Sequence, residues 1–192
     1  MNKNIRLNDN EFVFQHIKYT DLDEIITFLA ENLIHEQPNI ILSQLINSKI
    51  DFDKSWKIID KKTHKIYGVL ILCNFMITQG TPLSMVKPHL ANYLSKLQHV
   101  NGYAFVIDKT LRGKKFDIQL LHKCLTNISS YDYIWCGVDT NLKSHNYWKK
   151  LGFIEICKIQ EATFYLYPIK KNILIDIFII EMMSQIYEKN NY

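Results

Sequence analysis

A chain of 192 residues is long enough for one domain with a full apolar core, and too short to favour two, since a domain ordinarily takes about 100–200 residues. Hydrophobic residues at 47% and charged residues at 22% exclude a disordered chain. The formal charge of +4 comes from 23 Lys and Arg in runs no longer than two, too scattered for a nucleic-acid track, so no nucleic-acid partner is expected.

No apolar run reaches the roughly 18 residues that would span a bilayer, so no membrane partner is expected either. Met1–Asn10 is polar and Asn-rich without the apolar stretch of a signal peptide. Cysteines 73, 124, 136 and 157 form no C-x-x-C pair, and each stands in an apolar run. They are expected to be small buried hydrophobes in a reducing cytoplasm, with no metal site.

Along the chain, the aromatic and β-branched content of Glu11–Lys18 predicts a strand. Thr20 then reads as a helix cap, and Leu22, Ile25, Ile26 and Leu29 at helical spacing predict a helix over Asp21–Leu33. A shorter helix follows Pro38, joined through His35 and Glu36. Ser55–Asp60 and Lys65–Cys73 predict an antiparallel hairpin across the short connection at Lys61–His64. Pro82–Gln98 is helical in pattern, Asn101-Gly102 has turn chemistry, and Tyr103–Ile107 reads as a central strand buried on both faces.

A basic loop, Asp108–Lys115, leads to a helix through Leu120, Leu121, Cys124, Leu125 and Ile128. Strand Tyr133–Val138 and helix Leu142–Leu151 repeat that order, which implies parallel or crossover-connected strands. Strands Phe153–Ile159 and Ala162–Tyr167 and a helix over Lys171–Glu188 complete the chain. The fold class is therefore α/β with a mixed sheet, in a single domain over 1–192 with its core at about 11–168 and an extra C-terminal helix.

Two segments carry chemistry. Leu111-Arg112-Gly113-Lys114-Lys115-Phe116-Asp117 stands where a buried strand passes into a helix. Such a junction presents first-turn amides and the positive end of the helix dipole to an anion, with Arg112, Lys114 and Lys115 adding charge. Taken alone, the segment fits an ordinary capped loop equally well. The second is Asn141-x-x-Ser144-x-x-Tyr147-Trp148-x-x-Leu151-Gly152-Phe153, in which Asn141, Ser144 and Trp148 share a helix face and Gly152 is a natural C-cap. Taken alone, it fits any amphipathic helix with a glycine stop.

Together, and in this order and separation, the segments resemble the two motifs of the GNAT acyltransferase superfamily. These are the pyrophosphate loop R/Q-x-x-G-x-G/A and the helix N-x-x-A-x-x-[LF]-Y-x-x-x-G-F. The resemblance covers about Glu11 to Pro168. It implies an acyl-CoA N-acyltransferase fold and an acetyl-CoA-dependent N-acetyltransferase acting on a primary amine of a small molecule or peptide. It also implies that the backbone at Val106 and Ile107 contacts the pantetheine arm, and that amides from Arg112 through Gly113, Lys114, Lys115 and Phe116 to Asp117 hold the pyrophosphate. Asn141 and Ser144 match the residues beside the pantetheine.

Three residues depart from the pattern. Lys115 and Asp117 stand where the family has glycine or a small residue, and Asp117 is tolerable near phosphate if it turns away or caps its own helix. Trp148 stands where many members carry a tyrosine that protonates the departing thiolate, which an indole cannot do at neutral pH. The neighbouring Tyr147 is expected in the core. His99, Asn101 and Asp108 flank the central strand, Glu36 and Asp139 are further candidates to line an acceptor cleft, and none is singled out as a base, so the catalytic residues stay unassigned. A GNAT-fold binding module with weak or no turnover is the alternative. On the C-terminal helix, apolar residues from Ile173 to Ile186 cover more of the circumference than one buried face needs. Packing against the domain's own sheet and a homodimer contact are both open there.

Overall fold

The computed structural model describes residues 11–33, 38–47, 49–74, 82–139 and 144–190. They group into two compact units, each assembled from two stretches of chain. Listed in hydrogen-bonding order, the seven strands run β1-β2-β3-β4-β5-β7-β6.

The first unit falls within Met1–Cys73 and Tyr103–Asn127. It holds β1 (Phe12–His16), a 3-10 turn (Tyr19–Asp21), α1 (Leu22–Asn32), α2 (Pro38–Asn47), β2 (Trp56–Asp60), β3 (Ile66–Cys73), the second half of β4 (His99–Ile107) and α5 (Phe116–Asn127). β1 and β2 are antiparallel, with Phe12 opposite Asp60 and His16 opposite Trp56, and β2 pairs antiparallel with β3 across a bulge at Ile58/Ile59. The hairpin forms as its sequence predicts. Asp60 accepts from the Lys62 and Thr63 amides at 2.8 and 2.7 Å, and His64 takes a left-handed φ of 59°. The 3.6-residue pattern of α1 buries Ile25, Ile26, Phe28 and Leu29 with Ile41 and Leu45 of α2 and Val69 and Ile71 of β3.

The second unit falls within Asn74–Gly102 and Ile128–Tyr192. It holds α3 (Pro82–Val86), α4 (Pro88–Leu94), the first half of β4, β5 (Tyr133–Asp139), α6 (His145–Lys150), β6 (Ile154–Ile159), β7 (Ala162–Pro168) and α7 (Asn172–Asn190). β4 and β5 are parallel, as the strand-helix alternation requires, with His99 opposite Tyr133. β7 runs antiparallel to β5 along its whole length and pairs with β6 on its other edge. Leu83, Leu90, Leu94, Tyr133, Leu166, Ile173 and Ile177 form the core, and the Tyr133 hydroxyl donates to the Leu94 carbonyl at 2.9 Å.

Four expectations are corrected. The helix over Pro82–Gln98 is two helices broken at Lys87, whose φ/ψ of −136°/70° is extended because the ring of Pro88 disfavours a helical residue before it. Asn101-Gly102 is not a turn but lies within β4, where pairing with β5 overrides local turn chemistry. β4 is buried at both ends yet only half-buried from Asn101 to Tyr103 and at Phe105. Thr20 does not cap α1; Asp21 does the local work, accepting from the Lys18 amide at 2.7 Å and pairing with the buried Lys57 ammonium at 2.8 Å. Cys73, Cys124 and Cys136 are free and buried, and burial pushes each thiol up to about 12, so they are inert packing residues. Cys157 is half-buried. Among the described residues no helix is long and apolar enough to cross a membrane, and no metal-binding cluster is found.

Candidate functional site

In the first unit β4 ends at Val106 and Ile107, whose side chains are buried, so a ligand there meets backbone. The chain then turns sharply. Asp108 accepts from the amide and hydroxyl of Thr110 at 2.8 and 2.5 Å, and the Leu111 amide bonds back to the Asp108 carbonyl. Leu111 and Phe116 are buried anchors at the two ends of the loop, Phe116 packing edge-on against Phe12 with ring centroids 5.2 Å apart. Arg112, Gly113, Lys114 and Lys115 are exposed between them. The loop stays ordered because its apolar ends are fixed.

Gly113 has φ 76° and Lys115 has φ 66°. Alternating left-handed residues turn successive N–H groups toward one side and form an anion-binding concavity. The helical ladder of α5 begins at the Gln119 amide, which bonds the Lys115 carbonyl at 3.1 Å. The Phe116 and Asp117 amides therefore precede it, at the positive end of a 12-residue helix. Lys115 occupies the first glycine position of the motif, and Asp117 the second, and Lys115 adopts a glycine-like conformation. Its side chain is exposed and not folded into the loop. Asp117 meets the condition set by the sequence, its Oδ1 accepting from the Ile118 amide at 2.9 Å and so engaging the first turn of its own helix. Arg112 donates through Nε to the Ile107 carbonyl at 3.1 Å, which ties the loop to the end of β4 and uses one of its five N–H donors.

Ser144 and Trp148 belong to the second unit. Ser144 is the N-cap of α6, and its carbonyl accepts from the Tyr147 and Trp148 amides, so the helix starts later than the pattern over Leu142–Leu151 suggests. Asn141 lies outside the described residues, as do His35 and Glu36. Gly152 ends α6 as expected, at φ 95°, with the Phe153 amide reaching back to the Trp148 carbonyl. A Cβ at Gly152 would also meet the Tyr167 ring at 3.2 Å, a close contact that adds to the conformational preference for glycine. Trp148 packs edge-on to Phe153 at 4.9 Å and stacks over Tyr165 at 6.5 Å, and Tyr147 beside it is, like Trp148, half-buried.

One pair escapes sequence reasoning. His145, one turn before Trp148 on α6, has Nδ1 2.8 Å from the hydroxyl of buried Tyr165. Burial, with the Glu155 charge adding to it, pushes the Tyr165 phenol up, so it stays protonated, and the histidine tautomer sets which of the two groups donates. Twenty residues separate the two, and β7 pairing with β5 brings Tyr165 beneath α6. The flanking residues are less suited to proton transfer. Burial raises the Asp108 carboxyl, but the two Thr110 hydrogen bonds and the charges of Lys65 and Lys109 together hold it below its ordinary value, so it is a turn residue and a weak base. His99 is buried and stacked on Tyr133, with Nδ1 3.0 Å from the Leu97 carbonyl. Asn101 is 3.4 Å from the Trp135 carbonyl, and Asp139 is exposed at the end of β5.

No protein-family model matches the chain, and no curated protein matches it in sequence. Solved structures do match. An acetyltransferase of the GNAT family from Staphylococcus aureus Mu50 aligns with 83% of this chain and 99% of its own at 17% identity and a TM-score of 0.55. The Escherichia coli GNAT family N-acetyltransferase YhbS, solved in complex with CoA, aligns with 84% of this chain and 83% of its own at 14% identity and a TM-score of 0.61. FeeM, an N-acyl amino acid synthase from uncultured soil microbes, aligns with 83% and 92% at 15% identity and a TM-score of 0.59. At such identities the likeness concerns architecture, and it agrees with the motif order along the chain: this protein has the fold of the GNAT N-acetyltransferases.

Proposed function

We propose that this chain binds acetyl-CoA and transfers its acetyl group to a primary amine of a small-molecule or peptide acceptor. The observation that carries the reading is the pair of left-handed residues, Gly113 and Lys115, immediately before α5. A lysine kept in a conformation that L-residues disfavour makes sense where the amides it turns have a ligand to hold. CoA complexes among the structural neighbours, YhbS and the PaiA N-acetyltransferase of Thermoplasma acidophilum, support the same ligand.

When bound, acetyl-CoA supplies a thioester whose acyl carbon an unprotonated amine attacks, releasing the thiol. Amides between Arg112 and Asp117 hold the pyrophosphate, apart from that of Lys114, which bonds the Leu111 carbonyl at 3.2 Å, and Lys114 and Lys115 add exposed charge. The β4 backbone at Val106 and Ile107 aligns the pantetheine arm, and the motif resemblance assigns Asn141 and Ser144 to the same ligand. Positioning supplies most of the rate. As the imidazolium, donating through Nδ1–H to the Tyr165 hydroxyl, His145 is the group we assign to protonate the leaving sulfur, because the Trp148 indole N–H is far too weak an acid for it.

A second reading, a GNAT-fold binding module, is favoured by the packing of Trp148 against Phe153 and Tyr165, which is the use of a core aromatic. Calorimetric titration with acetyl-CoA, followed by thiol release across polyamines, amino acids, peptides and aminoglycosides, separates the two. Saturable binding with thiol release on one acceptor class supports the transferase. Binding without release across the panel supports the module, and no binding at millimolar ligand removes the transferase and leaves only the module.

A further inference from the structure

α7 is inside out for a surface helix. Its inward stripe holds Ile173 and Ile177 in the core of the second unit, with Asp176 and Glu181 beside them. Asp176 accepts from the Tyr93 hydroxyl at 2.5 Å, and Glu181 pairs with Lys87 at 2.8 Å. Burial, and then Asp176, push the Tyr93 phenol up to about 12, so that hydrogen bond persists across the physiological range. The outward stripe is Leu174, Ile175, Phe178, Ile179, Met182 and Met183, all exposed, with Phe178 at 69% and Ile175 at 63%. No charged residue interrupts it.

The size of the patch sets its meaning. Side chains of this kind carry on the order of 150–200 Å² each, so the exposed fractions of the six come to roughly 500–700 Å². Met85 and Val86 of α3, which precede the Lys87 that bonds Glu181, are exposed as well and carry roughly 200 Å² more. The stripe on α7 alone is at or above the upper end of the roughly 300–600 Å² a monomer ordinarily leaves in one patch, and it approaches the roughly 800 Å² each partner buries in a stable protein dimer.

The order of the residues points to the occupant. About a two-fold axis between Phe178 and Ile179, two antiparallel copies of α7 set Ile175 against Met182 and Leu174 against Met183, while Phe178 meets Ile179. The stripe is thus complementary to itself, and its spacing of three and four residues is that of packed helices. A lipid surface fits less well, because an interfacial helix carries Lys and Arg along its polar flank, whereas Lys189 is the first cation of α7 and Asp176 and Glu181 are acidic. We propose that the protein is a homodimer joined through α7, in an antiparallel pair centred on Phe178 and Ile179. The proposal is independent of the chemistry assigned to the acyl-CoA site.

Sedimentation equilibrium on the full chain tests it. The expected mass is twice 22.8 kDa at micromolar concentration. The double variant Phe178→Glu, Ile179→Glu should sediment as a monomer with an unchanged far-ultraviolet dichroism spectrum and a dimer dissociation constant raised at least a hundredfold. If that variant fails to fold, Ile175→Cys with Met182→Cys gives an independent reading. Seven helical positions put these residues about 10 Å apart along one helix, too far for an internal disulfide, so mild oxidation links two chains only in the antiparallel pair. Neither single cysteine variant should crosslink. A wild-type monomer at 100 μM, or a double-cysteine protein that stays uncrosslinked, overturns the proposal. A monomer that co-sediments with phosphatidylglycerol vesicles overturns it in favour of a membrane surface.

Discussion

Replacing Lys115 by glycine should stabilise the protein, against the usual direction of a glycine substitution. At φ 66° an L-residue bears about 1–2 kcal/mol of left-handed strain, and glycine bears none. Against this stands roughly 0.5–1 kcal/mol for the extra freedom glycine has in the unfolded chain. The side chain of Lys115 is exposed, so little packing is lost. The net gain is about 0.5–1 kcal/mol, which for a chain of this length raises Tm by about 1–4 °C. Lys115→Ala is the control, since it removes the same charge but keeps Cβ and therefore the strain. Gly113→Ala is the converse, because a Cβ there meets nothing within 4 Å and any cost is conformational. Urea or thermal unfolding should order the proteins Lys115→Gly above Lys115→Ala, with Gly113→Ala below wild type by about 1 kcal/mol. A Lys115→Gly protein no more stable than Lys115→Ala would refute the assignment of strain to this loop. The pair also separates charge from backbone in CoA affinity: equal weakening in both variants assigns the loss to the ammonium, and equal retention assigns binding to the amides.

Three further outcomes follow from named contacts. If His145 carries the proton, His145→Ala should lower kcat by tenfold or more with KM within twofold, and Trp148→Tyr should raise turnover at least threefold; equal kcat in all three proteins would remove both residues from the chemistry. Burial lowers His99 below its ordinary 6.5, so between that value and the folded one the unfolded chain binds more protons and stability falls as pH is lowered. The slope should reach no more than about 1.4 kcal/mol per pH unit and be flattened by His99→Phe, as read from urea midpoints between pH 5 and 7.5. Thr163 is fully buried, and its hydroxyl has no hydrogen-bond partner among the described residues, so Thr163→Val should gain about 1 kcal/mol in urea unfolding; a loss would mean that the hydroxyl is satisfied.

Most of the architecture is legible in local pattern. The helical spacing of Leu22, Ile25, Ile26 and Leu29, the short connection at Lys61–His64 and the glycine after Leu151 each form what they encode, because each depends on neighbours along the chain. The errors fall where local and tertiary signals conflict. Asn101-Gly102 has turn chemistry but pairs in β4, and Pro88 cuts an apolar pattern that runs on regardless. In the site, the loop's place before α5 is readable, whereas the left-handed backbone at Lys115 is not, since lysine does not advertise it. The His145–Tyr165 contact had no signal at all, because it exists only once β7 lies beside β5. The bare outer stripe of α7 was half visible: its apolar excess shows in sequence, but the inward turn of Asp176 and Glu181 does not.

The most direct test of the account is calorimetric titration of the wild-type chain with acetyl-CoA, repeated on Gly113→Asp, which sets a carboxylate at the left-handed residue of the loop. One saturable site per chain at micromolar affinity, weakened at least tenfold by Gly113→Asp, is the predicted result. Absence of saturable binding up to millimolar ligand, or equal affinity in the two proteins, would contradict it.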